Sequence, residues 1–396
     1  MVNQALSGLK VVDFSWHIAG PYCTKLLADF GAEVIKIERP ELGDPSREEG
    51  PFPSDKKDLN ASGLYLYLNN NKKSIELNLK SEKGKWIARE LIKKADIVVE
   101  NFAPGVIDRL GLGYDSIKEL KPNVIMTSIS NFGQTGEFRD YEATELITQA
   151  MSGWITSVGE EEYEPLRAAG RLRILEYLSG AFAALSTLSA ILERRKTNEG
   201  THIDVSITEV GNMQRSYPTV QNSFPSRVSK TQKRFRMLPS VEKCKDGYIG
   251  VTVLTGQHWE NFCAMTEMYD WIDDERFTMI PQRLKHKEIY QKRFDEWLMR
   301  HTRQEILELG AKWGVPVIPV PSFDELPEFP QYKDRDVFIE VEHAHAGKVI
   351  QPAAPARLSK TPWQLKSVAP TLGEHNKDIL KSIDNASEKD IEEATK

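Results

Sequence analysis

Glu176 stands at the head of a long apolar stretch and is the first candidate for chemistry in this chain. From Leu178 to Arg195 the sequence is rich in Ala and Leu and contains no proline, which predicts a helix buried on most of its surface. The free backbone N–H groups of a first helical turn favour a carboxylate, and they can also stabilise negative charge on a carbonyl oxygen during acyl transfer. Two interpretations are open from these residues alone, a structural acid at a helix start and an acid that takes part in acyl transfer.

Basic and amide side chains follow or precede several predicted strands. Arg39 follows a strand predicted over 32–38, Asn101 follows one over 95–100, and Lys72 and Lys73 lie in a predicted loop before a strand over 75–79. Open α/β sheets bind ligands at the carboxyl ends of their strands, so this arrangement predicts a basic mouth for a phosphate-bearing ligand. Single Arg and Lys residues in loops are equally typical of a solvated surface.

The elements that must position these residues begin with a strand over 9–14, a helix over 22–30 and the strand over 32–38. This βαβ start predicts a parallel sheet with helices on its faces, in a Rossmann-like α/β domain. The first turn, SWHIAGP, lacks the G-x-G-x-x-G pattern, so a dinucleotide site is not expected.

Composition shifts divide the chain into three predicted parts. The large α/β domain covers residues 1–222, and a polar, Pro-containing linker over 215–229 leads out of it. A hairpin with Asp246-Gly247 at its turn, followed by helical patterns, predicts a smaller α+β domain over 223–335. Residues 336–396 form a C-terminal segment, whose charged end from Ser387 is expected to be a frayed helix.

Charge and cysteine content exclude several classes of function. The 396 residues include 52 Lys and Arg against 58 Asp and Glu, so the net charge of -6 does not predict a nucleic-acid partner. Three scattered cysteines indicate neither a disulfide framework nor a zinc site. The N-terminus lacks the pattern of a secretory signal, and no apolar run approaches bilayer length, so we expect a cytoplasmic protein without a membrane partner.

Several ordered motifs resemble the class III CoA-transferases, the family that includes carnitine CoA-transferase, formyl-CoA transferase and α-methylacyl-CoA racemase. They are IKIERP, NNNKKSIELNLK, VVENFAPGVIDRLGLGYDSIKELKP, SISNFGQTGEF and the stretch from LEYLSG through ERRKTNEG to HIDVS. In the transferases of this family an Asp nucleophile stands at the position of Glu176. Asn198 replaces the first glycine of the family's turn, and Asn tolerates a positive φ better than most residues.

The resemblance implies a transferase that moves CoA between carboxylic acids through an intermediate bound to Glu176. Its substrates would be an acyl-CoA and a small carboxylic acid, without a metal, and two subunits would form an interlocked dimer. The C-terminal segment would return to the large domain. The positions that the resemblance assigns to coenzyme A are His17, Ile18, Ala19, Arg39, Lys72, Asn101, Phe102 and Arg109.

Neighbouring positions separate the subgroups of this family. Thr144 stands where the racemases carry a His, so racemisation is not expected, and Ile18 with the segment Phe132-Gly133-Gln134 is closer to the carnitine type. Because Glu is one methylene longer than Asp, two alternatives stay open. The chain could be a non-catalytic partner subunit of a heteromeric transferase, or an acyl-CoA lyase or isomerase of the same fold.

Overall fold

The computed structural model describes residues 4–157, 172–216, 219–220, 223–224, 238–384 and 386–396. They fall into two compact units. The first unit contains the described residues up to 224 and from 337 onward, and the second contains residues 238–336. The boundaries expected at 222/223 and 335/336 stay predictions, because residue 222 and most of the predicted linker over 215–229 lie outside the described residues.

A six-stranded sheet forms the centre of the first unit. Its strands are β1 Lys10–Asp13, β2 Glu33–Glu38, β3 Lys72–Glu76, β4 Ile97–Glu100, β5 Ile125–Ser130 and β6 Thr201–Ser206. The spatial order is β3-β2-β1-β4-β5-β6 and every neighbouring pair is parallel, which confirms the predicted α/β fold. The chain progresses outward in opposite directions from β1 and β4, and open sheets of this kind bind ligands in the crevice at that point.

Helices cover the sheet and build most of the second unit. In chain order the described α-helices are α1 Ala19–Asp29, α2 Gly63–Leu68, α3 Glu82–Lys94, α4 Val106–Arg109, α5 Tyr114–Leu120, α6 Glu145–Met151, α7 Ile174–Thr197, α8 Ile207–Met213, α9 Gly256–Met265, α10 Ile280–Lys285, α11 Lys287–Leu298, α12 Arg303–Trp313, α13 Pro330–Asp334, α14 Asn376–Leu380 and α15 Glu388–Thr395. Helices α9 to α13 belong to the second unit.

Helix α7 is the predicted apolar helix, and it begins two residues before Glu176. Its length and composition would suffice to cross a membrane, but its Ala and Thr face is buried against α1 and the sheet, where the Thr187 hydroxyl lies 2.7 Å from that of Thr127 on β5. Asn198 ends the helix with φ 58°, the left-handed conformation expected there.

The second unit combines a small sheet with a helical layer. Strands β7 Val241–Cys244, β8 Gly247–Val251 and β9 Val317–Pro319 form an antiparallel sheet in the order β7-β8-β9. The predicted hairpin is β7 and β8, with Lys245-Asp246 between them. Aromatic side chains of α9 and α11 pack in its core, among them Trp259, Phe262 and Phe294.

The C-terminal segment packs on the first unit. Strands β10 Phe338–His343 and β11 Gly347–Pro352 form an antiparallel hairpin, and the backbone N–H of His375 donates to Ser74 of β3 at 3.0 Å. The expectation of a frayed end is wrong. Ser387 caps α15, Ala394 is fully buried, and the Ala394 carbonyl accepts from the Asn78 N–H at 2.7 Å, so this charged helix has an apolar face that packs beside α3.

Candidate active site

A cleft of about 1790 Å³ opens in the first unit beside the crossover point of the sheet. Its walls come from the loops after β1 and β4, the start of α7, helices α2 and α6, and strand β11. The lining includes these described residues: His17, Ile18, Ala19, Glu49, Pro51, Leu64, Tyr67, Asn101, Phe102, Arg109, Arg139, Thr144, Glu145, Arg173, Glu176, Tyr177, Val349 and Gln351. The structure therefore brings Glu176 and six of the eight positions expected for coenzyme A into one cleft.

Glu176 occupies the first turn of α7 and is half-buried. Burial raises the pKa of Glu176 to about 7, the positive charge of Arg173 opposes that increase, and the negative charges of Glu145 and Glu49 add to it. A carboxylate with this pKa is divided between its ionised and neutral forms near neutral pH. Only the ionised form is a nucleophile, so its neighbours determine how much of Glu176 is reactive.

Arg173 directly precedes α7 in the left-handed conformation, with φ 47°. Its guanidinium forms a forked ion pair with Glu49, with Nη2–Oε2 at 2.7 Å and Nη1–Oε1 at 3.3 Å. The same Oε1 of Glu49 lies 3.3 Å from Nδ1 of His17. Glu49 thus connects His17, in the loop after β1, to Arg173 at the start of α7. All three residues line the cleft.

Glu145 of α6 supports the start of α7 from the other side. Its Oε1 accepts a hydrogen bond from the backbone N–H of Leu175 at 3.0 Å and another from Gln149 at 2.8 Å. Leu175 is the second residue of α7 and has no carbonyl of that helix to bond to, so Glu145 supplies the missing acceptor. This contact fixes the turn that carries Glu176.

Two hydrogen bonds connect the loop after β1 to the loop after β4. The Trp16 N–H donates to Asn101 Oδ1 at 2.7 Å, and Asn101 Nδ2 donates to the Trp16 carbonyl at 2.8 Å. The Trp16 ring contacts Phe102 edge to face, and the guanidinium of Arg39 lies 4.6 Å from the Trp16 ring. Arg39 is not among the residues that line the cleft, and it contacts the loop after β1 through the Trp16 ring.

Lys72 lies inside the protein and not at the cleft mouth. Its segment belongs to β3 instead of the predicted loop, and its ammonium is fully buried against Asp13, Thr24, Asn69 and the Pro21 carbonyl, at 2.7 to 3.3 Å. These acceptors replace the water that a surface lysine would have, which is why a buried lysine can begin this edge strand of the sheet. Lys72 is therefore removed from the candidate coenzyme positions.

Buried charges behind the loop after β1 hold it in place. Lys36 pairs with Asp44 at 2.7 Å and donates to the Ser15 carbonyl at 2.7 Å. Asp44 accepts from the His17 N–H at 3.1 Å, and His17 has a positive φ of 61°. This contact fixes the backbone of His17, and with it the segment up to Ala19 that faces Glu176.

Arg109 and Arg139 converge on one side of the cleft. Both guanidinium groups approach Gly105 of the loop after β4, because a Cβ built on Gly105 would lie 3.3 Å from Arg109 and 3.2 Å from Arg139. Two guanidinium groups so placed can bind a phosphate from two directions.

Three residues of the cleft were not predicted from the sequence: Glu49, Arg173 and Arg139. Arg173 carried a usable signal, since it lies within one turn of Glu176. Glu49 carried none, because its partner Arg173 is 124 residues away along the chain.

Comparisons with known proteins give a consistent result. A model of the family described as CoA-transferase family III matches residues 6–376. A formyl-CoA:oxalate CoA-transferase of Rhodopseudomonas palustris is 31% identical, over 99% of this chain and 96% of that protein. A succinate–glutarate CoA-transferase of Agrobacterium fabrum is 29% identical, over 96% of each. The crystal structure of a CAIB/BAIF family protein from Brucella suis superposes with a TM-score of 0.85 at 27% identity, over 96% of this chain and 100% of that one.

Proposed function

The chain belongs to CoA-transferase family III, as its motifs indicated, and from this premise we propose that it transfers CoA from an acyl-CoA to a free carboxylic acid with Glu176 as the nucleophile. The observation that carries this proposal is the position of the Glu176 carboxylate, in the first turn of α7 and in the same cleft as Asn101, Phe102 and Arg109. The relationship to the carnitine type stays a prediction.

The proposed reaction needs no net proton transfer. A Glu176 oxygen attacks the thioester carbonyl, the C–S bond breaks, and CoA leaves as a thiolate from a mixed anhydride. The thiolate then attacks the Glu176 carbonyl carbon, the C–O bond to the acyl group breaks, and the first acid leaves as a carboxylate. The incoming carboxylate attacks the Glu176 thioester and expels the thiolate, which attacks the new acyl carbonyl and releases the new acyl-CoA together with the Glu176 carboxylate.

Coenzyme A is proposed to lie along the loops after β1 and β4. Arg109 and Arg139 face its phosphates, while the reciprocal hydrogen bonds of Trp16 and Asn101 keep the wall rigid. The segment from His17 to Ala19 lines the same cleft as Glu176 and is proposed to contact the coenzyme there. Arg39 contributes through the Trp16 ring, and Lys72 takes no part because it is buried.

A homodimer is proposed from the family resemblance. Leu185 and Leu192 on the outer face of α7 are each 59% exposed in the single chain, which supports a contact with a second subunit there. The alternative of a non-catalytic partner subunit is less favoured, because a partner would not need a half-buried carboxylate in the coenzyme cleft. Cytoplasmic localisation stays a prediction.

Trapping of the covalent intermediate tests the proposal. The protein is incubated with a panel of acyl-CoA esters, treated with hydroxylamine or borohydride, and digested for mass spectrometry. We expect modification of the peptide that contains Glu176, and no modification in Glu176→Gln, which retains the shape but loses the charge. CoA binding by calorimetry should be unchanged in that variant. A Glu176→Gln protein that transfers CoA as fast as the parent overturns the assignment.

A further inference from the structure

Arg173 is a charged residue of the cleft whose position the reaction outlined above does not yet explain. It is a non-glycine residue with φ 47° directly before α7, and it lines the cleft. There its guanidinium forms the forked ion pair with Glu49. Both side chains line the cleft together with Glu176, which lies three residues after Arg173 in the first turn of α7.

Charged and titratable groups of several elements share the cleft with Glu176. Glu145 of α6 accepts from the N–H of the adjacent Leu175, Glu49 follows the 3-10 helix Pro45–Glu48, and His17 of the loop after β1 contacts Glu49. Tyr177 follows on α7 itself and packs on Tyr22 of α1, with ring centroids 5.0 Å apart. Of the described groups, Arg173 favours a charged Glu176, whereas Glu145 and Glu49 disfavour it.

The geometry points to Arg173 as a positioning residue that keeps Glu176 ionised for attack, with Glu49 holding Arg173 in place; we propose this role on the basis of the function above. The two carboxylates near Arg173, those of Glu176 and Glu49, have different roles in the reaction. Glu176 becomes neutral whenever it carries an acyl group or CoA, and at those stages it no longer attracts the guanidinium. Glu49 forms no covalent bond in the proposed cycle, so its forked contact retains Arg173 until Glu176 is released as a carboxylate again.

A purely structural role predicts a different behaviour. If the Arg173–Glu49 pair only tied two segments together, its loss would lower the transfer rate by the same factor at every pH. If Arg173 acts through its charge on Glu176, its loss disfavours the ionised form, and the rate is recovered when the pH is raised. The pH dependence of kcat/KM therefore separates the two roles.

The test compares Arg173→Met, Arg173→Lys and the parent between pH 5.5 and 9.5. We expect kcat/KM of the parent to rise through an apparent pKa near 7, as set by the burial of Glu176. Loss of a neighbouring opposite charge should move this midpoint upward by about one pH unit in Arg173→Met, with about a fivefold loss at pH 7 that disappears at high pH. Arg173→Lys should restore most of the parent profile. Lys73→Met, which removes an ion pair with Glu33 outside the cleft, is the matched control and should not shift the midpoint.

The double variant Arg173→Met, Glu49→Gln provides an independent check. Removing Glu49 eliminates one of the negative charges that oppose ionisation of Glu176, so the double variant should be more active at pH 7 than Arg173→Met alone. A structural clamp predicts no such recovery. An unshifted midpoint in Arg173→Met with a folded, CoA-binding protein overturns the inference. Glu176→Gln in the same assay keeps the two proposals distinct, because its activity decides the nucleophile and not the role of Arg173.

Discussion

Gly180 of α7 packs directly on the backbone carbonyl of Ala19, the first residue of α1. A Cβ added at Gly180 would lie 2.5 Å from that oxygen, which is closer than any side chain can approach. The absence of a side chain thus lets the helix that carries Glu176 come into contact with the loop that lines the coenzyme cleft. The distance between these two elements is fixed by backbone packing.

Substitution Gly180→Ala should separate α7 from Ala19. We expect a loss of about 1–3 kcal/mol in the free energy of unfolding, the usual range for overpacking, together with a lower kcat. Chemical denaturation and the CoA-transfer assay measure both effects. Glu119→Ala, at an exposed position of α5, should change stability by no more than about 0.5 kcal/mol. A fully active Gly180→Ala protein would show that the contact is dispensable.

Arg109 and Arg139 should determine the affinity for coenzyme A. Since both guanidinium groups converge at Gly105, we expect Arg109→Ala to weaken CoA binding about tenfold, the value of one charge-assisted hydrogen bond, and the double alanine variant to weaken it further. Calorimetric titration at low and high salt measures this, and the difference between variants should shrink as salt screens the phosphates. Dephospho-CoA in parallel reports which phosphate is contacted. Equal affinity in the double variant would place the phosphates elsewhere.

Lys72 should matter for folding and not for ligand binding. Replacement by Met leaves the buried Asp13 carboxylate without one of its cations, and breaking a buried pair in this way costs about 3–5 kcal/mol. We expect a large fall in the midpoint of denaturation, with little change in CoA affinity where the protein is still folded. Lys73→Met, one residue further along β3, serves as the exposed comparison and should be nearly neutral.

The contrast between Lys72 and the rest of β3 shows where sequence reasoning succeeds and where it fails. The buried apolar strands and the long helix α7 follow from local patterns, and these were sufficient to predict the parallel sheet and the position of Glu176. The stretch NNNKKS is polar, so local patterns favour a loop. Its last three residues, from Lys72 to Ser74, begin β3 because Asp13 and Thr24, brought close only by the fold, satisfy the Lys72 ammonium together with the nearby Asn69.

The surroundings of Glu176 illustrate the same limit of prediction from local sequence patterns. Glu176 was found because a carboxylate at the head of an apolar helix is a local feature and because the surrounding motif resembles that of the class III CoA-transferases. Its electrostatic environment was not found, because Glu49 lies 124 residues from Arg173 and the ion pair exists only after folding. The C-terminal helix α15 likewise looked too charged to be ordered, yet its few apolar side chains are buried beside α3.

Glu100 should make stability depend on pH. It ends β4, accepts from the Phe102 N–H at 2.9 Å, and burial raises its pKa to about 7. A carboxyl whose pKa is higher in the folded than in the unfolded state binds more protons when folded, so stability falls as the pH rises from about 4.5 to 7 and is then constant. Glu100→Gln removes this penalty, which is at most about 3 kcal/mol, and should stabilise the protein at pH 8 but not at pH 4.5. Denaturation at both pH values checks it, with the exposed Glu199→Gln as control.

Glu176→Asp tests whether the cleft is adapted to the longer acid. The family resemblance implies an Asp at the position of Glu176, and Asp would withdraw the carboxylate by about 1.5 Å from the thioester, a displacement that can cost about 100-fold in rate. We expect kcat to fall by up to that factor while KM for acyl-CoA changes little, because the coenzyme contacts lie on other loops. The trapped intermediate should then be found on the shorter carboxylate of the Glu176→Asp protein. Steady-state kinetics with the same acyl-CoA panel provide the measurement. Glu176→Gln, with a loss of at least about a thousandfold in kcat, gives the activity expected without a nucleophile. A Glu176→Asp protein that is faster than the parent would mean that the cleft retains the geometry of an Asp nucleophile and that Arg173 and Glu49 do not compensate for the added methylene.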